Sequence, residues 1–187
     1  MSHKLFIGRT GTGKSTLAKT IVRGLLSYKR RVVILDPAGD PNWPKGATIY
    51  HDTESFELDL KTRGPAHVFI DESPEVIERY RKSLWWIALR GRHLGHNLSV
   101  IAQDPVMIPP SIRRQAEQIY VFRVSPSGAR LLADEYGHDE LEYSSQLRVI
   151  RGKEADFLYA DSNASVTRYT LDYASGIYRL AERQGVE

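Results

Sequence analysis

The sequence contains no cysteine and only two methionines among its 187 residues. Without a thiol the chain can form neither a disulfide nor a thiolate metal site, which is compatible with a reducing compartment. Long hydrophobic runs are missing as well, since none approaches the ~18 residues that a membrane-spanning helix needs. The first residues, "MSHK", lead directly into an apolar segment. We therefore expect neither a secretory signal nor a transmembrane segment.

Internal repeats, low-complexity tracts and linker-like stretches are also lacking. Hydrophobic residues make up 41% of the chain and charged residues 26%, the balance of an ordinary globular protein. The length suits one domain over residues 1–187, with its core at about 4–160 and a C-terminal extension at 161–187. The net charge of +3 indicates nucleic acid only weakly, because a solvated surface with excess arginine gives the same value.

Short apolar runs alternate with helical patterns along the chain. Strands are predicted at residues 5–7, 31–35, 67–70, 98–102 and 119–122, and helices at 15–28, 74–90 and 125–136. Several strands are almost continuously apolar, as in a parallel sheet that is buried on both faces. We predict an α/β fold with a mainly parallel sheet and helices on both faces. Residues 147–159 predict a C-terminal β-hairpin that turns at Gly152-Lys153, followed from Asp172 by a short helix or a frayed tail.

Residues 8–15, "GRTGTGKS", match the phosphate-loop pattern G-x-x-x-x-G-K-[ST] completely. Glycines let the backbone wrap around an anion with its N–H groups inward, and the following helix adds a partial positive charge. In such a loop Lys14 reaches the β- and γ-phosphates, and the Ser15 hydroxyl binds Mg²⁺. The motif lies between a predicted strand and a predicted helix, which argues against a chance match. The predicted nucleotide-binding residues are Gly8, Arg9, Thr10, Gly11, Thr12, Gly13, Lys14, Ser15 and Thr16.

Two acidic residues, Asp71 and Glu72, directly follow the apolar run at 67–70. In a P-loop protein the first acid holds Mg²⁺, so Asp71 is the predicted metal ligand beside Ser15. Glu72 is placed to polarise the attacking water, and a base for water favours hydrolysis over phosphoryl transfer to another acceptor. The alternative is that Glu72 caps the turn at Ser73-Pro74.

A polar residue, Gln103, ends the next predicted strand, where its amide can contact the γ-phosphate and the lytic water. The alternative is a hydrogen bond within the Asp104-Pro105 loop. The motif spacing suits an additional strand between the phosphate-loop strand and the acid-bearing strand, as in P-loop NTPases of the ASCE or RecA-like type. An arginine-rich turn at residues 90–96 precedes this strand. Its Arg92 is the first candidate for an arginine finger supplied to a neighbour, with Arg90 second; the alternative is a solvated basic turn.

Taken together, these motifs resemble those of the FtsK–HerA superfamily of ring-forming DNA-pumping ATPases. Within it, the chain looks most like the small genome-packaging ATPases of tailless viruses with an internal membrane. The resemblance covers about residues 4–160. Its segments are the phosphate loop at 8–15, "ILDPAGD" at 34–40, "VFIDE" at 68–72, "RGRHLGHNLSVIAQDP" at 90–105 and "IPPSIRRQAEQIYVFRV" at 108–124.

The resemblance implies an ATP- and Mg²⁺-dependent translocase that packages double-stranded DNA into a preformed capsid. Its partners would be DNA bound without regard to sequence, further copies in a homo-oligomeric ring of five or six, and capsid vertex proteins. Its place would be the cytoplasm of an infected host cell or the packaging vertex of the virion. Lys14, Ser15, Asp71, Glu72 and Gln103 would take the roles given above, and Arg92 would act across a subunit boundary.

Candidate DNA contacts are basic or aromatic residues outside these motifs. They are Trp43, Lys45, Arg79, Arg81, Lys82, Arg113 and Arg114, each of which has a solvated surface position as its alternative. Trp85 and Trp86 are expected in the core or at a subunit interface rather than as platforms for bases.

Two other functions remain open from the sequence. A nucleoside or nucleotide kinase of the P-loop class has a similar length, although it leaves Gln103 and the arginine-rich turn unexplained. An NTP-dependent switch or assembly factor would need no DNA at all. Stimulation of hydrolysis by DNA distinguishes the translocase from both, and phosphorylation of an added nucleoside identifies the kinase.

Overall fold

The computed structural model describes residues 3–71, 86–161 and 164–181. These residues contain one ten-stranded sheet. Its strands are β1 (His3–Ile7), β2 (Val32–Leu35), β3 (Thr48–Tyr50), β4 (His67–Asp71), β5 (Asn97–Ala102), β6 (Ala116–Val121), β7 (Val149–Ile150), β8 (Glu154–Asp161), β9 (Ala164–Asp172) and β10 (Tyr178–Leu180). The spatial order is β10-β9-β8-β6-β1-β5-β4-β2-β3, and β7 pairs with β8 outside this path.

Helices connect the strands. They are α1 (Lys14–Ser27), α2 (Thr53–Thr62), α3 (Pro110–Arg113) and α4 (Pro126–Tyr136), with 3₁₀ turns at Gly91–Leu94, Pro105–Met107 and Asp139–Gln146. Residues 86–89 are helical too, and the rest of the helix predicted at 74–90 lies outside the described residues. Ser125 begins α4 as predicted, because its hydroxyl accepts a hydrogen bond from the Gly128 amide at 3.0 Å. In the described part of the chain, no helix combines the length and apolarity needed to cross a bilayer.

Six strands form the parallel part of the sheet, from β6 through β1, β5, β4 and β2 to β3. Strand β5 lies between β1 and β4, which confirms the predicted additional strand, and Gln103 directly follows it. Since the strands are parallel, their carboxyl ends share one edge of the sheet. This carboxyl edge holds the end of the phosphate-loop strand, the end of the acid-bearing strand and Gln103.

Helices cover both faces of the sheet, as the alternation in β1 shows. Neighbouring residues of a strand point to opposite faces. Leu5 and Ile7 belong to the cluster that contains Phe56 of α2, whereas Phe6 packs in a second cluster with Leu17 of α1. The prediction of a mainly parallel α/β sheet with helices on both faces is confirmed.

The C-terminal part of the sheet is antiparallel and larger than predicted. Strands β7 and β8 form the expected hairpin around Gly152, but β8 pairs mainly with β9, and β10 pairs with β9. Over residues 172–181 the predicted helix or frayed tail is therefore wrong, and the rest of that segment lies outside the described residues. Polar positions in β9 hid the strand, because the side chains of Arg168 and Thr170 bond to the buried carboxylate of Asp156 on β8. Only the cross-strand pairing makes these polar positions compatible with a sheet.

Candidate nucleotide site

The phosphate loop leaves β1 at the carboxyl edge and is fastened to the strands on both sides. The Gly8 amide donates to the Ala102 carbonyl at 3.1 Å, and the Arg9 amide donates to the Arg123 carbonyl at 2.9 Å. A side chain at Gly8 would place its Cβ 2.5 Å from the Cβ of Phe122. Glycine is therefore required where the chain passes so close to β6.

Two further glycines shape the interior of the loop. Gly11 and Gly13 have φ angles of 77° and 101°, which only glycine adopts without strain. The Arg9 carbonyl accepts hydrogen bonds from the Thr12 hydroxyl at 2.7 Å and from Lys14 Nζ at 3.1 Å. The loop thus closes on itself, and α1 begins directly after it.

Lys14 is 8% exposed, so its ammonium group lies in a largely desolvated position. Burial lowers the pKa of Lys14 to about 8, against the opposing effect of the Asp71 carboxylate. A bound anion stabilises the protonated form of a buried lysine, because it replaces the interactions with water that the ammonium group lost on burial. Such a group fits the phosphate-binding role predicted for Lys14.

Asp71 ends β4 and lies in the field of several charges. Burial, together with the nearby Asp36 carboxylate, raises the pKa of Asp71 to about 6 against the opposing effect of Lys14 and Lys19. Of the residues described, none donates a hydrogen bond to the Asp71 carboxylate. The ionised form of Asp71 is therefore destabilised, which is common for functional carboxylates.

The loop after β2 is organised by Asp36, which is 1% exposed. Its carboxylate accepts from the amides of Gly39 at 3.0 Å and Asp40 at 2.6 Å, and from Trp43 Nε1 at 3.0 Å. Lys19 of α1 pairs with Asp40 and lies 5.5 Å from the ring centroid of Trp43. The loop is thereby built onto α1 beside Asp71. Asp36 and Asp40 carried no predicted role of their own, although both lie in the matching segment "ILDPAGD".

Magnesium fits the residues at this edge. A hydroxyl from Ser15 and a carboxylate from Asp71 are hard oxygen ligands of the kind that Mg²⁺ takes beside nucleotide phosphates. The Asp36 and Asp40 carboxylates are already engaged by N–H groups and Lys19. Within residues 3–71, 86–161 and 164–181, no group of three His, Asp or Glu side chains is arranged to hold a metal. A site completed by the nucleotide's own oxygens agrees with this arrangement.

Gln103 reaches the same edge, because it follows Ala102 in β5. Strand β5 pairs in register with both neighbours, so Ile7 lies opposite Ala102 and Asp71 opposite Ile101. The loop after Gln103 is held by Asp104, whose carboxylate accepts from the Val106 amide at 3.1 Å and the Ser125 hydroxyl at 3.2 Å. The structure thus brings together the phosphate loop, Asp71 and Gln103, while the predicted base Glu72 lies outside the described residues.

The predicted arginine finger lies at the other edge of the sheet. Arg92 belongs to the 3₁₀ turn that precedes β5, where it forms an ion pair with Glu117 and is 40% exposed. Arg90 is exposed in the same turn. The five residues of β1 separate this edge from the phosphate loop by about 15 Å. Neither arginine reaches the nucleotide site of its own chain, so a finger role requires another subunit.

Two of the predicted DNA contacts are wrong. Trp43 is 5% exposed and donates to Asp36, so it belongs to the core of its loop. Arg113 is 6% exposed, and its guanidinium donates to Glu135 at 2.5 Å and to the carbonyls of Pro105 and Ile108. In both residues, the polar groups that suggested a nucleic-acid surface are already hydrogen-bonded within the chain.

The other candidates have different outcomes. Lys45 and Arg114 are exposed and stay predictions, although Arg114 Nε lies 3.5 Å from Glu135. Trp86 packs against the core, which confirms its expected position. Arg79, Arg81, Lys82 and Trp85 lie outside the described residues.

A family model described as "Helicase HerA, central domain" matches residues 1–151 of the chain. The chain belongs to this HerA family. Membership identifies it as an ATP hydrolase of the FtsK–HerA superfamily, as the motifs predicted. A sequence search of curated proteins finds no match.

Solved structures share the fold of this HerA-family chain. The genome-packaging NTPase B204 of Sulfolobus turreted icosahedral virus 2, in complex with AMPPCP, is 18% identical with a TM-score of 0.66, and the match covers 97% of each chain. The pCW3 conjugation coupling protein TcpA, with ATPγS, is 17% identical with a TM-score of 0.70 over 89% of this chain. This chain spans only 59% of TcpA. The cytoplasmic domain of the type VII secretion ATPase EccC of Thermomonospora curvata is 17% identical with a TM-score of 0.69, covering 98% of this chain and 26% of its own. These likenesses establish a P-loop NTPase fold.

Proposed function

We propose that this HerA-family ATPase moves double-stranded DNA and packages a viral genome into a preformed capsid as a homo-oligomeric ring. The observation that carries the proposal is the match to B204, a packaging NTPase that this chain follows over 97% of both lengths. The proposed places of action are the cytoplasm of an infected cell and the packaging vertex, where capsid proteins would be partners.

The carboxyl edge supports hydrolysis in the following way. The phosphate loop binds the triphosphate, and the Lys14 ammonium meets the negative charge that builds up between the β- and γ-phosphates. Ser15 and Asp71 would hold Mg²⁺, which supplies neutralisation of phosphate charge when it is bound. Glu72 takes the proton of the attacking water, and Gln103 orients that water at the γ-phosphate.

The amino ends of the parallel strands lie at the edge opposite the phosphate loop. This amino edge carries Arg90 and Arg92, and it supports a ring. Arg92 and Arg90 are too far from the phosphate loop of their own chain to stabilise its transition state, yet both are exposed at the surface, Arg92 in an ion pair with Glu117. In a ring of repeated subunits, the amino edge of one chain can face the carboxyl edge of the next. ATP hydrolysis would then depend on assembly, and DNA in the central channel would favour that assembly.

The proposal is tested by measuring ATP hydrolysis with and without double-stranded DNA of unrelated sequences. We expect DNA to raise hydrolysis per subunit, and binding to weaken steeply with salt because phosphate contacts release counterions. The Lys14→Ala variant serves as the inactive control.

A rate of ATP hydrolysis that does not change with DNA, together with undetectable DNA binding at low salt, would contradict the proposed DNA motor and favour an NTP-dependent switch. Transfer of the γ-phosphate to an added nucleoside would instead identify a kinase.

A further inference from the structure

The turn between β9 and β10, at residues 173–177, lies against the phosphate loop. The Tyr173 hydroxyl donates a hydrogen bond to the Gly11 carbonyl at 3.1 Å. A Cβ at Gly13 would lie 2.8 Å from Cε1 of Tyr173 and 3.1 Å from Cδ2 of Leu171. The end of β9 and the residue after it therefore pack directly against the phosphate loop. These residues lie beyond the 1–151 segment that the HerA model matches.

The turn itself is tightly built. The Asp172 carboxylate accepts from the Ser175 amide at 2.8 Å and the Ser175 hydroxyl at 2.7 Å, and these bonds hold the pKa of Asp172 below its usual value. The Gly176 amide donates to the Asp172 carbonyl at 2.9 Å. Such a turn can hold the Tyr173 ring in a fixed direction.

The same turn rests on helix α1, one turn of helix beyond the phosphate-binding residues. Gly176 is buried with a φ of 69°, and a Cβ there would lie 2.4 Å from the Thr20 hydroxyl oxygen. The turn thus contacts the nucleotide site at two places, the tip of the loop and the first turns of α1. Its position is fixed relative to both.

An outside partner of this kind can fix the direction of a phosphate-loop peptide. The loop's amides must converge on the phosphates, so its carbonyls face outward, and the exposed Gly11 carbonyl is free to turn unless a donor holds it. The Arg9 carbonyl is served within the loop by Thr12 and Lys14. The Gly11 carbonyl is served by Tyr173. Because glycines on either side of Thr12 leave the tip conformationally free, a donor from a rigid neighbour reduces the ordering cost of binding.

We propose that Tyr173 is a positioning residue of the nucleotide site, whose hydroxyl holds the tip of the phosphate loop in the form that binds the triphosphate. The C-terminal hairpin is then part of the ATP site rather than an appendage to the motor. The proposal rests on ATP binding by the phosphate loop and is independent of DNA translocation.

The test compares Tyr173→Phe with Tyr178→Phe. Both substitutions remove one phenol oxygen from the same hairpin, but the Tyr178 ring packs on Phe157 and Tyr169 rather than on the loop. Without DNA, we expect Tyr173→Phe to weaken ATP and ADP binding by about 2- to 10-fold, the worth of one hydrogen bond. KM for ATP should rise by the same factor with kcat within about 2-fold, because the hydroxyl does not touch the reacting atoms. Tyr178→Phe should bind as the wild type does.

Unchanged nucleotide affinity in Tyr173→Phe, or an equal loss in both variants, would overturn the positioning role. Lys14→Ala, measured in parallel, tests the site itself. If Lys14→Ala also binds ATP normally, the phosphate-loop assignment fails together with this proposal. If Lys14→Ala loses binding while Tyr173→Phe keeps it, only the role of Tyr173 fails.

Discussion

The two edges of the parallel strands use polar residues in opposite ways. At the carboxyl edge, Asp71 and Lys14 carry shifted pKa values, and no described residue donates a hydrogen bond to the Asp71 carboxylate. At the amino edge, His3 and His96 are buried, and each ring bonds to two backbone groups. Burial lowers the pKa of both histidines, which favours the neutral ring that one accepting nitrogen requires. The carboxyl edge thus carries ionisable groups that a ligand can stabilise. The amino edge uses neutral histidine rings to fix its turns by hydrogen bonds.

This contrast explains how the arginine-rich turn can be exposed and yet fixed. His3 bonds to the Ala88 carbonyl on one side of the turn and to the Leu98 amide on the other. The backbone that carries Arg90 and Arg92 is thereby held at both ends while their side chains face outward. A rigid turn whose arginines are exposed, with Arg92 paired to Glu117 at the surface, is suited to contacting another molecule.

The largest effect is expected when each edge is inactivated in a different variant. Arg92→Ala should lower hydrolysis about 10³-fold in the presence of DNA, the usual worth of an arginine finger. Lys14→Ala should be inactive because it loses the charge at the phosphates. A mixture of the two variants should recover activity, since some interfaces pair an intact phosphate loop with an intact finger. Hydrolysis rates across mixing ratios measure this complementation.

Arg90→Ala in the same mixing experiment chooses between the two arginines. Normal hydrolysis by Arg92→Ala with DNA, or mixtures that co-assemble and stay inactive, would refute Arg92 as a finger acting in trans.

A smaller effect is expected at Glu72, the predicted base. Glu72→Gln keeps the size of the side chain but removes the base, so turnover should fall at least ~10²-fold while Mg²⁺·ATP still binds. Single-turnover hydrolysis and nucleotide titration separate the two steps. Loss of nucleotide binding in this variant would assign Glu72 to the structure of the turn instead.

The smallest effect concerns stability. Folding raises the pKa of Asp71 from 3.8 to about 6, so the stabilisation belongs to the protonated form and is lost as the pH rises through 6. Ionised Asp71 then costs about 1–3 kcal/mol above pH 7. Asp71→Asn should be more stable than the wild type at pH 8, without nucleotide or Mg²⁺, and the gain should shrink towards pH 5. Denaturant titrations at both pH values measure it.

Asp36→Asn is the matched control for that comparison. The Asp36 carboxylate accepts three hydrogen bonds, so its replacement should destabilise the protein where that of Asp71 stabilises it. A destabilised Asp71→Asn at pH 8 would contradict the view that the charge of Asp71 is held at a cost.

Local sequence patterns were sufficient for the parts of the fold that depend on neighbours in the chain. The phosphate loop, the apolar strands and the start of α4 at Ser125 follow from spacing, continuous apolarity and capping. They were not sufficient where a polar side chain is satisfied by a partner that no local pattern indicates. Trp43 bonds to Asp36, Arg113 to Glu135, and Tyr173 to Gly11 across 162 positions. Trp43 and Arg113 read alone suggest a nucleic-acid surface, no pattern points to Tyr173, and only the folded chain supplies their partners.

Among the described residues, the two outermost strands of the sheet affect how readily the protein aggregates when it is concentrated. Both β3 and β10 are three residues long, and β10 carries Arg179, which is paired with Glu154 of β8. Edges this short offer little backbone for another strand to join, and the charge of Arg179 adds to this protection at β10. A sheet with such edges resists end-to-end fusion into fibres.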